Sequence, residues 1–518
     1  MRGWRRWVCL AALLEGAYLL GYFQGVATHG SAEGDSFGPP LVQHEVLQAG
    51  ALQPPAPAPL PAAHEAVQEA PRPPSRIAAA EARRPVAAQP EGPEEGPPAQ
   101  QTSSEVSAPS GGFFRDSTPF KGMGGHQGGH CAQYEGTDFP LDGWSPQVRS
   151  LAGSSIYGTG WAQKRLREHQ FPSSCENKVF VEHGMFRSGI GSNIHISSAI
   201  FSHALNTGRI YVWPEDDIHN PWTLGPDKHS PVDCPGGHQT RSYECYLKPI
   251  SSCKSDGKGP RYTGVRVERG GEPLRGADMV PNMFKPLLKC SRYPKDYWRK
   301  WWRAQVTAFL MRPSAATAKE VAELKKAVLV GGDLQAGTIG AHVRHGDKFF
   351  EAPEFPYEAY KHIFDWLGGV SKAEVPKRCS RALELLEPFS ELLPALRAKR
   401  LYLGTDDPKV PEEAVATRGS WSVSYMNVTR LKKRLKLMDL RAKLGAKQAV
   451  LESLLNLELL LESDALICTW TSNWCRLVDE LRMTVAMKAD HVSLEIKKKN
   501  CPRFNWVHGG GKPTPDFR

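Results

Sequence analysis

The stretch Thr338-Ile-Gly-Ala-His-Val-Arg-His-Gly-Asp-Lys348 limits what this chain can fold into more than any other. It is a short apolar run without helical spacing, and it ends in a tight cluster of His342, Arg344, His345, Asp347 and Lys348. Such a run reads as a strand buried in a sheet. Open α/β sheets bind their ligands at the carboxyl edge of the strands, so a buried strand with a charged tip predicts a doubly wound fold with its function at that edge. Taken alone, the pattern equally describes a strand that ends in solvated charge, and the neighbouring segments have to decide.

Lys178 to Glu182 reads as a strand leading into the Gly-spaced loop His183 to Gly191. A helical pattern from Asn193 to Leu205 follows, with Ile196, Ile200 and Phe201 on one side, and then a strand from Arg209 to Trp213. This is a β-loop-α-β unit. The Gly189-Ile-Gly191 pair allows either close approach of a ligand or a plain tight turn. Pro214 to Pro294, rich in Pro, Gly and Cys, is expected to be a disulfide-tied insertion with little regular structure. Trp298 to Met311 is helical, and its Trp residues are expected in the core; Ala315 to Val328 is a second helix.

Lys399 to Asp407 is another apolar strand, ending in Asp406 and Asp407. The pair lacks the Asp-x-Asp spacing of luminal metal-dependent transferases, and Asp before Pro is a common helix start, so no metal is expected. Leu444 to Glu462 is a leucine-rich helix and Asp464 to Trp470 a last buried strand. Thr471-Ser-Asn473 then opens a helix from Trp474 to Arg482. Its free N–H groups and two hydroxyls make either a phosphate cradle or an ordinary cap.

Arg2, Arg5 and Arg6 precede an apolar run from Trp7 to Phe23, so residues 1–30 are expected to be a cytosolic tail and signal-anchor. Residues 31–112, rich in Pro, Ala, Glu and Gln, cannot bury a core and read as a disordered stem. The body divides into an amino-terminal α/β lobe, 113–330, carrying the Cys-rich insertion, and a Rossmann-like lobe, 331–518. Of the 11 cysteines only Cys9 lies in the anchor, leaving an even number that would face an oxidising lumen as disulfides. Cys468 and Cys475 flank a short turn that a local bridge would pin. Asn427-Val-Thr429 is an N-glycosylation acceptor if the body is luminal. His126, His130 and Cys131 match no zinc spacing. The net charge of +10 suits a phosphate-bearing ligand, but no basic tract interleaved with aromatics points to nucleic acid.

Three segments together resemble the α1,6-fucosyltransferases and their bacterial nodulation relatives, which move fucose from GDP-fucose with inversion. They are His342-Val-Arg344 with Asp347-Lys348, Leu401-Tyr-Leu-Gly-Thr-Asp-Asp-Pro408, and Cys468-Thr-Trp-Thr-Ser-Asn-Trp-Cys-Arg476. The resemblance spans roughly Val179 to Arg482 and implies a GT-B-like pair of Rossmann-like lobes, with the donor on the carboxyl-terminal one. It implies a metal-free Golgi enzyme of single-pass type II topology acting on a glycan or glycoprotein. Arg344 would hold the β-phosphate. Ser472 would bond the same phosphate, and His342 would lie at the guanine. Glu351 would be the general base, with Lys348 assisting through its charge. Asp347, Asp406 and Asp407 would order the site.

Two departures concern the donor. His345 stands where the family has a second arginine, replacing a permanent charge with a ring that titrates near ~6.5 when unperturbed. Asn456 stands where the family has an aspartate that accepts from guanine, and an amide offers only one acceptor group. The family's coiled-coil stem is replaced by the Pro/Ala-rich linker, and the stretch after Arg482 is too short for its SH3-like domain. The alternatives are a same-fold transferase using another nucleotide sugar, and a catalytically silent glycan-binding protein. Retention of Arg344, Lys348, Glu351 and Ser472 together argues against the latter.

Overall fold

The computed structural model describes residues 129–504, except 135–142, 151–152, 224–230, 272–279, 346–353, 370–392, 431–443, 497–501 and a few isolated positions. The expected anchor and stem lie outside them, as do Asp347, Lys348 and Glu351. Among the described residues no helix is long and apolar enough to cross a membrane.

The chain folds as α/β around two sheets. Helix α1 (Thr159–Gln170) leads to β1 (Phe180–Gly184), α2 (Ile190–Asn206) and β2 (Ile210–Val212), followed by β3 (Arg261–Thr263) and β4 (Arg266–Arg269). Helices α3 (Lys285–Cys290), α4 (Lys295–Leu310) and α5 (Ala315–Val328) connect to the second sheet. Its strands are β5 (Leu329–Val330), β6 (Thr338–Val343), β7 (Arg400–Thr405), β8 (Ser422–Met426), β9 (Ala465–Cys468), β10 (Ser493–Ile496) and β11 (Pro502–Phe504). Between them lie α6 (Tyr357–Leu367), α7 (Leu393–Leu396), α8 (Lys409–Ala416), α9 (Ala446–Glu462) and α10 (Asn473–Arg482).

The small sheet has the order β2-β1-β3-β4. Residues 214–294 are therefore not merely a tied insertion, because β3 pairs parallel with β1 and β4 antiparallel with β3. These strands gave no apolar run to read: Arg261-Tyr-Thr buries only Tyr262, and Arg266-Val-Glu-Arg lies at the edge of the sheet. Disulfides Cys234–Cys245 and Cys175–Cys253 tie this region, and Cys131–Cys290 closes the amino-terminal end onto α3.

The large sheet has the order β11-β10-β9-β6-β7-β8-β5. The five inner strands are mutually parallel, and the two edge strands are antiparallel. Every residue of β6 is buried, as expected of a central parallel strand covered on both faces. From β6 the chain winds outward through β7 to β8, then crosses back to place β9 on the other flank of β6 and winds outward again to β10. The direction reverses between β6 and β9, and at their carboxyl ends such a sheet opens a crevice.

One face of the sheet packs Ile339, Ala341 and Val343 against Tyr360 and Phe364 of α6. The other face joins α9 and α10 to a core shared with α2 and α4. Trp301 and Trp302 of α4 are fully buried there, and Trp302 Nε1 donates to the Ser198 carbonyl of α2 at 3.0 Å. Truncating a buried Trp of this kind to Ala costs about 3–5 kcal/mol. Gly191 sits where α2 crosses the start of α10, and a Cβ on it would come within 2.8 Å of the Asn473 carbonyl oxygen. Close contact between two backbones explains this glycine.

Candidate functional site

Three connections leave the large sheet side by side at the crevice. The segment after β6 carries Arg344 and His345, the segment after β7 carries Asp406 and Asp407, and the segment after β9 carries Thr469 to Ser472. Parallel pairing of β6 with both neighbours makes these tips adjacent. Tyr360 marks the centre: its fully buried hydroxyl lies beside the Arg344 backbone and the Thr469 side chain, and burial raises its pKa above the usual phenol range.

Arg344 is ion-paired with Asp406. The other oxygen of that carboxylate accepts the backbone N–H of His345 at 2.9 Å, so Asp406 fixes both residues beyond the strand. His345 Nδ1 lies 2.8 Å from Asp407 Oδ2, and Nε2 lies 2.8 Å from the Phe355 carbonyl. Asp407 Oδ1 also accepts the Lys409 N–H at 2.9 Å, at the start of α8. The two carboxylates thus face the Arg344 guanidinium, the His345 ring and backbone N–H donors. Among the described residues no group of three or more His, Cys, Asp and Glu is placed to hold a metal ion.

His342 is 6% exposed, and neither ring nitrogen has a hydrogen-bond partner among the described residues. Burial, reinforced by the Arg344 charge, lowers its pKa to about 3, so the ring is neutral at physiological pH. A neutral imidazole offers one N–H and one lone pair. Buried polar atoms left unpaired are uncommon and need an explanation. Opposite His342 in register stands Gly404, where a Cβ would come within 3.2 Å of His342 Nδ1 and 2.5 Å of Asn456 Nδ2. A larger residue there would push the Asn456 amide away from its present position.

Asn456, half-buried on α9, donates to the Tyr402 hydroxyl at 3.0 Å and accepts from Trp474 Nε1 at 3.2 Å. Each end of the amide keeps one further bonding position. Ser472 is 3% exposed and is the N-cap of α10, yet its hydroxyl makes no capping bond. The first-turn amides of α10 have no intrahelical acceptor and, with the helix dipole, favour an anion. The Cys468–Cys475 disulfide ties the end of β9 to that turn.

Arg430 is a member of this edge that carried no sequence signal. Its Nε donates to the Thr405 carbonyl at 3.1 Å and its Nη2 to the Met426 carbonyl at 2.6 Å, so it closes the ends of β7 and β8. Burial lowers its pKa below the usual guanidinium range. Asn427 and Thr429 of the sequon, just beyond β8, are both exposed.

No protein-family model matches the sequence. Solved structures to which the chain is similar include the fucosyltransferase NodZ from Bradyrhizobium, at 14% identity over 64% of this chain and 98% of NodZ, with a TM-score of 0.31. An Arabidopsis thaliana FUT1 mutant in complex with GDP is 13% identical over 72% of this chain and 88% of its own, with a TM-score of 0.31. POFUT1 in complex with GDP-fucose is 13% identical over 62% and 98%, with a TM-score of 0.28. Scores at this level assign no function.

Proposed function

We propose that this chain is an inverting glycosyltransferase that takes its sugar from a GDP-sugar, GDP-fucose first among them, and gives it to a glycan or glycoprotein. One observation carries the reading. At the switch point of a doubly wound sheet, a guanidinium (Arg344), a helix N-terminus whose N-cap hydroxyl makes no capping bond (Ser472) and a buried neutral imidazole with no partner among the described residues (His342) come from adjoining strands. The first two suit a diphosphate. The imidazole suits the polar edge of a base.

In the reaction the acceptor hydroxyl oxygen attacks the anomeric carbon as the bond to the β-phosphate oxygen breaks. GDP leaves from the opposite face, and the hydroxyl proton passes to a carboxylate. Arg344 and Ser472 stabilise the charge that develops on the phosphate. Glu351 is the proposed base and Lys348 its neighbouring cation, with Asp347 ordering the same segment; all three lie outside the described residues.

The same reading places the body in the Golgi lumen on an amino-terminal anchor. Four disulfides among the described residues support an oxidising compartment. Titration calorimetry of the full chain with GDP tests the donor site. Binding that is lost in Arg344→Ala is expected, and no binding by the wild type would overturn the reading.

A further inference from the structure

His195 grips the start of α10 from the neighbouring helix. It lies on α2, 5% exposed, with Nδ1 3.1 Å from Asn473 Oδ1 and Nε2 3.1 Å from Glu480 Oε2. Asn473 and Glu480 lie about two turns apart on α10, so one ring spans most of that helix. The Asn473 amide nitrogen donates to Ser192 Oγ at 2.7 Å, which turns the amide oxygen toward His195. Glu480 also accepts from Thr307 Oγ1 of α4 at 2.7 Å. Burial alone would raise the Glu480 carboxyl, but His195, Arg303 and Thr307 outweigh it and hold its pKa below the usual value. Both ring nitrogens of His195 are therefore engaged by α10, one at its first residue and one near its end.

Buried ion pairs are often no more stabilising than well-packed apolar residues of the same volume. The His195–Glu480 contact sits among α2, α4 and α10, which are also joined by apolar packing, by the Trp302–Ser198 bond and by the Lys300–Asp479 ion pair. What distinguishes it is the residue it holds. Asn473 follows Ser472, whose hydroxyl makes no capping bond, and opens the first turn of α10.

We propose that His195 is a positioning residue for the diphosphate of the nucleotide: through Asn473 it fixes Ser472 and the first-turn amides of α10. This rests on the reading of the crevice as a GDP-sugar site. Because the action is on phosphate, its signature is selective: a nucleotide should feel it and the nucleoside should not.

The test compares GDP with guanosine as binding probes for the full chain, in the wild type, His195→Gln and Asn473→Ala. GDP is expected to weaken about tenfold in each variant, the loss of one charge-assisted hydrogen bond, while guanosine binds as before. The double variant is expected to be no weaker than either single one, because both act along one path. Unchanged GDP affinity, or equal losses for GDP and guanosine, would overturn the inference while leaving the donor reading in place. A wild type that binds no GDP overturns both. Should His195→Gln fail to fold, Asn473→Ala decides alone, since it leaves the His195–Glu480 pair intact.

Discussion

Arg344 and Asp406 pair across the tips of two neighbouring parallel strands, and the same carboxylate holds the backbone N–H of His345. The guanidinium is thus held by a residue of the neighbouring strand tip, and on the proposed reading a phosphate would share it with that partner. Arg344→Ala is expected to lower GDP-sugar turnover by at least about a hundredfold, the scale of losing a charge-stabilising donor. Its melting temperature should stay near that of wild type, because partly exposed ion pairs contribute only about 0–1 kcal/mol. Asp406→Asn should chiefly raise the KM for the donor. Turnover by Arg344→Ala within a few-fold of wild type would contradict the phosphate assignment.

Asn456 is the residue whose chemistry most directly tests the base. A carboxylate in its place accepts from Trp474 Nε1 and from Tyr402, whose hydroxyl now accepts from the amide, and it keeps an acceptor for guanine. Asn456→Asp is therefore expected to tighten GDP binding by about tenfold, within the range of a hydrogen bond to a charged group. Calorimetry showing no change would place the base elsewhere.

The Cys468–Cys475 bridge joins the end of β9 to the turn that carries Ser472. Replacing both cysteines by Ala should release that turn while leaving the sheet paired. The expected result is a melting temperature lower by several degrees, with GDP affinity reduced at least about threefold at a temperature where the protein remains folded. An unchanged affinity would show that packing alone holds the cradle.

Glu458 gives the fold a pH dependence of definite sign. It is 7% exposed on α9, and its pKa is raised to about 7 by burial first and by Glu462 second. A carboxyl raised in the folded state binds more protons folded than unfolded between its two pKa values. Its contribution to stability is therefore complete below about 4.5, falls as pH rises, and is lost above about 7. Glu458→Gln should be more stable than wild type at pH ~8, by on the order of 1–3 kcal/mol, and the gain should vanish toward pH ~4.5. Urea unfolding at both pH values measures it, and a gain independent of pH would contradict the burial argument.

Much of the fold was legible in the sequence because parallel strands covered on both faces read as apolar runs. Thr338–Val343, Arg400–Thr405 and Ala465–Cys468 all do. Strands β3 and β4 were not legible, since a short polar edge pair leaves no periodicity. At the candidate site, His342, Arg344, Asp406, Asp407 and Ser472 could be placed at strand tips or a helix start from the sequence, because those positions follow from where each run ends. The partners could not be placed. Asn456 was legible as a departure from a motif, but its bonds to Tyr402 and Trp474 depend on how α9 crosses the sheet. His195 and Glu480 lie far apart in the chain on separate helices, so only packing reveals the pair. Arg430 looks like any basic residue beyond a strand until its three carbonyl acceptors are seen.

The most direct measurement is donor turnover by the full chain across GDP-fucose, other GDP-sugars and UDP-sugars, with Arg344→Ala alongside. GDP release from GDP-fucose is expected to exceed that from every other donor and to be lost in the variant. Preference for a UDP-sugar, or no turnover of any nucleotide sugar by the folded wild type, would contradict the proposed function.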